Sequence, residues 1–163
     1  MISYFRPYLI FCLFSLTVLF GQNYASFAGG FLRMGSSARS MAMGSGFTAE
    51  IDAGFSAYHN PASMVFLNKR QLGFSHHFLP LDRRFMAANL SVPLPPTASV
   101  GLAWVSAGVD KIDGRNGAGE HTQYLSTSED AFIISFAQKI LPWFSAGLNV
   151  KILKHQLPMN TMN

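Results

Sequence analysis

Four groups of side chains have the types that catalysis or ligand binding uses: Glu50 with Asp52, the adjacent His76 and His77, the glycines at 114, 117 and 119, and the lone thiol of Cys12. An acid–base mechanism needs carboxylates placed across a cleft from each other or from a base. Glu50 and Asp52 instead share one short segment. Neighbouring residues of a strand point to opposite faces, so His76 and His77 cannot grip one metal ion together. Gly114, Gly117 and Gly119 lack both the Lys-Ser/Thr and the following helix of a phosphate loop. No catalytic residue, cofactor or metal site is expected, and the chain reads as non-enzymatic.

The elements around these residues say more. Residues 27–67 are rich in Gly, Ala, Ser and Met and show little alternation. Ser36 or Ser37 can cap a helical turn through Ala38, Arg39, Met41 and Ala42, and Gly44 suits the left-handed residue that ends it. Asn60 before Pro61 is a second cap, with the missing N–H of Pro61 placed where it costs nothing. From Gln71 onward the period becomes two. Leu72, Phe74, His76 and Phe78 share one face. So do Met86, Ala88, Leu90 and Val92 in a strand over Phe85–Val92, and Val100, Leu102 and Trp104 in one over Ser99–Ala107. Phe132, Ile134 and Phe136 follow in Asp130–Lys139, and Phe144, Ala146, Leu148, Val150 and Ile152 in the fifth. Pro93–Thr97 and Leu141–Trp143 are expected as short turns, Leu79–Arg84 as an intermediate one, and Gly108–Ser128 as a polar loop of about twenty residues.

Composition points the same way. Hydrophobic residues make up 49% and charged residues only 12% of the chain, against about 25% charged in ordinary globular domains. Beyond the first 20 residues no apolar run reaches the length of a spanning helix. Strands that alternate a lipid-facing and an inward-facing side chain would give this composition, and short turns alternating with long loops are a barrel pattern. The net charge of +4 comes from scattered single or paired cations, which excludes a nucleic-acid stripe. Residues 1–25 read as a secretory signal, with Arg6 ahead of the apolar Tyr8–Phe20 and cleavage after Gly21 or Ala25. Cys12 lies inside that signal without a lipobox, so disulfides play no part.

The stretch FLRMGSSARSMAMGSGFTA (Phe31–Ala49), followed by HNPASM (His59–Met64) and by QLGFSHHFLPLDRRFMAANLSVPL and FSAGLNVKIL, resembles the opening of the PorV/PorQ-type outer-membrane proteins, within the FadL-like β-barrels. It departs from that pattern at Asp52-Ala53, where the family has paired aspartates, and at Ser63-Met64, where it has Gly-Leu. The resemblance implies an all-β, antiparallel up-and-down barrel of about fourteen strands, with a lumen plug ahead of the wall. Residues 27–67 would be the plug and 70–163 the first five strands. The implied plug motif is Gly35, Ala38, Arg39, Met43, Gly44, Phe47, Asp52, Asn60, Pro61 and Ala62, with Arg39 and Asp52 as a buried lumen pair. A hydrophobic ligand path would run past Phe31, Met41, Met43 and Phe47.

The implied location is the outer membrane and the implied partners are its lipid, with secreted cargo proteins or hydrophobic small molecules. A secretion accessory is the first reading; a FadL-like passive transporter of long-chain fatty acids is the second, and a soluble periplasmic β-domain with an adhesive or structural role the third. Five strands cannot close a barrel. Each open edge would strand on the order of 10–20 kcal/mol of unpaired backbone groups in hydrocarbon. The chain is therefore expected to be a fragment that is not a stable membrane protein alone.

Overall fold

The computed structural model describes residues 29–51 and 54–157. The expected signal at 1–25, with Cys12, and the expected partner Asp52 lie outside the described residues. By internal contacts the chain divides into residues 1–30 and 31–163, and the second unit carries the fold discussed below.

That unit is predominantly antiparallel β. A 3-10 turn (Gly30–Met34), helix α1 (Ala38–Ala42), helix α2 (Ser56–His59) and a second 3-10 turn (Pro61–Phe66) precede the strands β1 (Gln71–Leu79), β2 (Arg83–Leu94), β3 (Ala98–Arg115), β4 (His121–Leu141) and β5 (Phe144–Gln156). The strands form one sheet in sequence order, every neighbour antiparallel. The alternation read from the sequence is the alternation of burial: Phe85, Ala87, Asn89 and Ser91 are buried in β2, and Ala131, Ile133, Ser135 and Ala137 in β4, with less buried residues between them.

The caps are local chemistry. Ser37 accepts the Ser40 amide and Ser40 answers in a capping box, which starts α1. Gly44 takes φ 60° after it. Asn60 Oδ1 accepts the Ala62 amide at 3.1 Å, and Pro61 opens the second 3-10 turn.

The polar loop expected at Gly108–Ser128 is instead a continuation of β3 and β4, joined by a tight turn over residues 116–120. Val109, Ile112, Tyr124, Leu125 and Thr127 supply strand-favouring side chains that the glycines and aspartates of the stretch obscure. Asn116 makes the turn, its Oδ1 accepting the amides of Ala118 at 3.0 Å and Glu120 at 2.9 Å. A register shift between Val109 and Ile112 holds Lys111 at φ 54°. Because β2 pairs with β3 only as far as Val109, this hairpin projects past its neighbours. The expected alternation of short and long connections is thus a difference in strand overhang.

Candidate functional site: a sheet with two unlike faces

One face of the sheet is covered by the segment that precedes it. Phe31, Phe55 and Tyr58 pack on Phe85, Ala87, Ala103, Val105, Ala131 and Ile133. Nearer the other end, Ala57, Met64 and Leu67 pack on Ala137. The strands contribute small residues here, and the reason is distance. A Cβ on Gly101 would stand 2.6 Å from the Ala57 methyl, and one on Gly147 2.5 Å from the Ala62 nitrogen. Gly73 meets the carbonyl oxygen of Gly54 in the same way, at 2.7 Å. Three alternate strands therefore carry a glycine where the covering segment touches them, with backbone atoms at Gly73 and Gly147 and with side chains at Gly101.

Hydrogen bonds from the strands fix the same segment. Ser135 Oγ and Asn149 Nδ2 both donate to the Ala57 carbonyl, at 3.1 and 3.0 Å. Ser99 Oγ donates to Met64 O at 2.9 Å, Ser145 Oγ to Ala62 O at 3.0 Å, and Asn89 Nδ2 to Gly54 O at 2.5 Å. Short helical turns leave carbonyls without partners, and buried ones must be satisfied from elsewhere. Alternating Ser and Asn on the strands do this. Sequence reading placed Gly101, Ser135, Gly147 and Asn149 on these faces but gave them no role; small and polar residues recurring at period two were the available signal.

The residues of the plug motif fall into two groups. Gly35 (φ 88°), Ala38, Arg39, Met43, Gly44 and Phe47 belong to or flank α1, while Asn60 caps the second 3-10 turn, in which Pro61 and Ala62 lie directly against the sheet. Arg39 is not buried. Its guanidinium reaches Glu50 Oε1 at 3.0 Å, with 62% of the side chain exposed. Of the four residues proposed to line a ligand path, Phe31 and Phe47 are buried and packed, whereas Met41 and Met43 are exposed.

His59, which the sequence did not single out, sits at the centre of this segment. Ser36 Oγ lies 2.7 Å from its Nε2, and the rings of Phe47 and Tyr58 lie 4.9 and 4.8 Å away, centre to centre. Burial, and secondarily the Lys151 cation, pushes its pKa below the ordinary histidine value. Burial raises Tyr58 to about 12, and its hydroxyl donates to the Leu32 carbonyl. His76 and His77 point to opposite sides: His77 meets Ser75 Oγ at 2.8 Å, while His76 is exposed against Phe78.

The other face has no cover among the described residues. The pairing registers align its side chains in rows across all five strands. Phe74, Ala88, Trp104, Phe132 and Ile152 form one row, and Leu72, Leu90, Leu102, Ile134 and Val150 the next. Val92, Val100, Phe136 and Leu148 follow. A row polar but for Met86 (His76, Met86, Ser106, Asp130 and Lys154) bounds them at one end. Trp104 stands one row inside this boundary, with its indole N–H 3.3 Å from Asp130 Oδ1. Trp143 occupies the β4–β5 turn at the opposite end, 79% exposed. A shallow apolar depression of about 380 Å³ lies over Leu90, Leu102 and Trp104.

Eleven large apolar side chains of these rows are exposed, from Val100 at 37% to Leu72 at 80%. Taking about half the usual 1.5–3 kcal/mol for each, leaving them in water forgoes on the order of 10 kcal/mol. That rivals the whole stability of a typical domain, so an apolar cover over this face would be strongly favourable.

No family model, curated protein or solved structure matches this chain. The likeness to PorV/PorQ-type proteins accordingly rests on the motif residues alone.

Proposed function

We propose that the sheet is part of the wall of an outer-membrane β-barrel of PorV/PorQ type, with residues 31–67 as its lumen plug, in a non-enzymatic protein that assists protein secretion or transport across that membrane. The observation that carries this reading is the inversion of the two faces. A soluble sheet hides its large apolar residues under the covering layer and turns polar ones outward. Here the covered face of the strands is mostly Gly, Ala, Ser and Asn, with Phe85, Val105 and Ile133 as its large buried side chains, and the open face is mostly Leu, Ile, Val and Phe. From Phe144 to Ile152 the apolar rows run about 27 Å along β5 at about 3.4 Å per residue. A strand tilt of about 40° turns this into a belt about 20 Å tall, close to that of barrel walls.

In this reading residues 1–25 direct export, lipid covers the open face, and β1 and β5 pair with further strands. The β3–β4 hairpin projects outward, where secreted cargo proteins would meet it. The secretion-accessory role is the first reading, and a FadL-like passage for fatty acids past Phe31, Met41, Met43 and Phe47 the second. Alkaline carbonate washing of membranes from cells that make the protein tests the reading. Retention with the membrane pellet is expected; release into the soluble fraction would contradict it.

A further inference from the structure

Residues 35–51 and 54–67 are held by different means. The second segment is fixed to the sheet by the strand donors and the glycine contacts described above. The first is a closed unit: the Ser37 capping box, the Ser45 amide on Ser40 O at 2.8 Å, and the Arg39–Glu50 pair all lie within it. Among the described residues, its side-chain hydrogen bonds to other segments end on Ser56, His59 and Asn60. They are Ser36 Oγ with His59 Nε2, Asn60 Nδ2 donating to Thr48 O at 3.0 Å, and, at the segment's last residue, Ser56 Oγ donating to Ile51 O at 3.1 Å. The Phe47 ring, 1% exposed, leans on the same imidazole. Gly35 and Gly54, at φ 88° and 79°, lie at its two ends, where backbone rotation is least hindered.

We propose that residues 35–51 are a flap hinged on a fixed floor, latched by the neutral imidazole of His59, and that protonation of that ring releases it. A neutral ring presents one donor and one acceptor, and the Ser36 hydroxyl rotates to match either at Nε2. Protonation would place a full charge in a half-buried pocket walled by Phe47 and Tyr58. Few groups can compensate it. From β5 comes Lys151, a like charge, lying 5.8 Å from the Tyr58 ring. Tyr58, on the same helix, stays neutral. On the flap, Glu50 is already engaged by Arg39. The lowered His59 pKa is in keeping with this electrostatic setting. Opening the flap would uncover the Tyr58–Asn60 floor. The device acts on the covered face and holds whether or not the open face meets lipid.

Electron–electron distance measurement tests it on the full chain carrying Cys12→Ser, in whichever medium keeps it folded. Labels at Met43→Cys and Tyr124→Cys read the flap; labels at Phe66→Cys and Tyr124→Cys read the floor. At about pH 7.5 both distances should be single and narrow. At about pH 5 the flap distance should gain a second, longer population while the floor distance stays. His59→Gln should abolish the response, and Lys151→Met, by removing the repelling cation, should move it to higher pH. An unchanged flap distance at the lower pH would overturn the proposal. So would a His59→Gln protein that responds like the parent, a Lys151→Met midpoint that does not rise, or a floor that moves with the flap.

Discussion

Gly147 and the Ala57 carbonyl show how individual groups hold the covering segment. A methyl on Gly147 has no flexible side chain to push aside, because backbone atoms Ala62 N and Pro61 C stand 2.5 and 2.8 Å away. Gly147→Ala should cost about 1–3 kcal/mol by overpacking, whereas Gly117→Ala, with nothing within 4 Å, should cost almost nothing; denaturant unfolding followed by tryptophan fluorescence compares them. Ala57 O has two donors, so either Ser135→Ala or Asn149→Ala leaves it satisfied. Each single change should cost about 0.5–1.5 kcal/mol, and the double more than their sum, because only then is a buried carbonyl orphaned. A double-mutant cycle measures the excess. At His59 the sign of the pH effect follows from the lowered folded pKa. The unfolded chain binds the proton more readily, so the stability contributed by the neutral ring is complete above about pH 6.5 and lost as pH falls toward the folded value. The unfolding midpoint should therefore fall on acidification in the parent protein and less in His59→Gln.

At the scale of elements, the two faces predict opposite responses to charge. Ile134 lies in the middle of the apolar rows on β4. In a bilayer Ile134→Lys should cost about 2–4 kcal/mol; on a face bathed in water it should be neutral or improve solubility. Retention in the carbonate-washed membranes of cells that make the protein, against the parent, separates these outcomes. Much of this layer was legible in the sequence. Strict alternation fixed which residues share a face, and Ser37, Gly44, Asn60 and Pro61 were readable as caps because capping depends on a few adjacent residues. The β3–β4 overhang was not legible: its glycines and aspartates weigh toward loop, and only pairing between Ile112 and Leu125 and between Asp113 and Tyr124 reveals the strands. The pairing of Arg39 with Glu50 and the role of His59 were hidden for a similar reason. Both depend on how the chain folds back over 11 and 23 residues, which no local pattern encodes.

At the scale of the molecule, the largely small and polar face bonded to its own N-terminal segment and the apolar face left uncovered among the described residues belong to one arrangement. Lipid would cover the belt, and the plug would supply carbonyls for strand donors that would otherwise be buried unpaired. The edges of β1 and β5 must then be met by further strands, since hydrocarbon cannot satisfy their backbone groups. Trp104 reports on this directly, because it stands one row inside the polar boundary formed by Asp130 and Lys154. With the further strands supplied that close the wall, and Trp143→Phe leaving Trp104 as the single tryptophan of residues 1–163, its emission can be followed in vesicles whose lipids carry bromine at chosen depths along the acyl chain. Strong quenching by acyl-chain bromine, with little from aqueous acrylamide, is the result predicted for a lipid-facing wall. Ready quenching by acrylamide with no dependence on brominated lipid would contradict it.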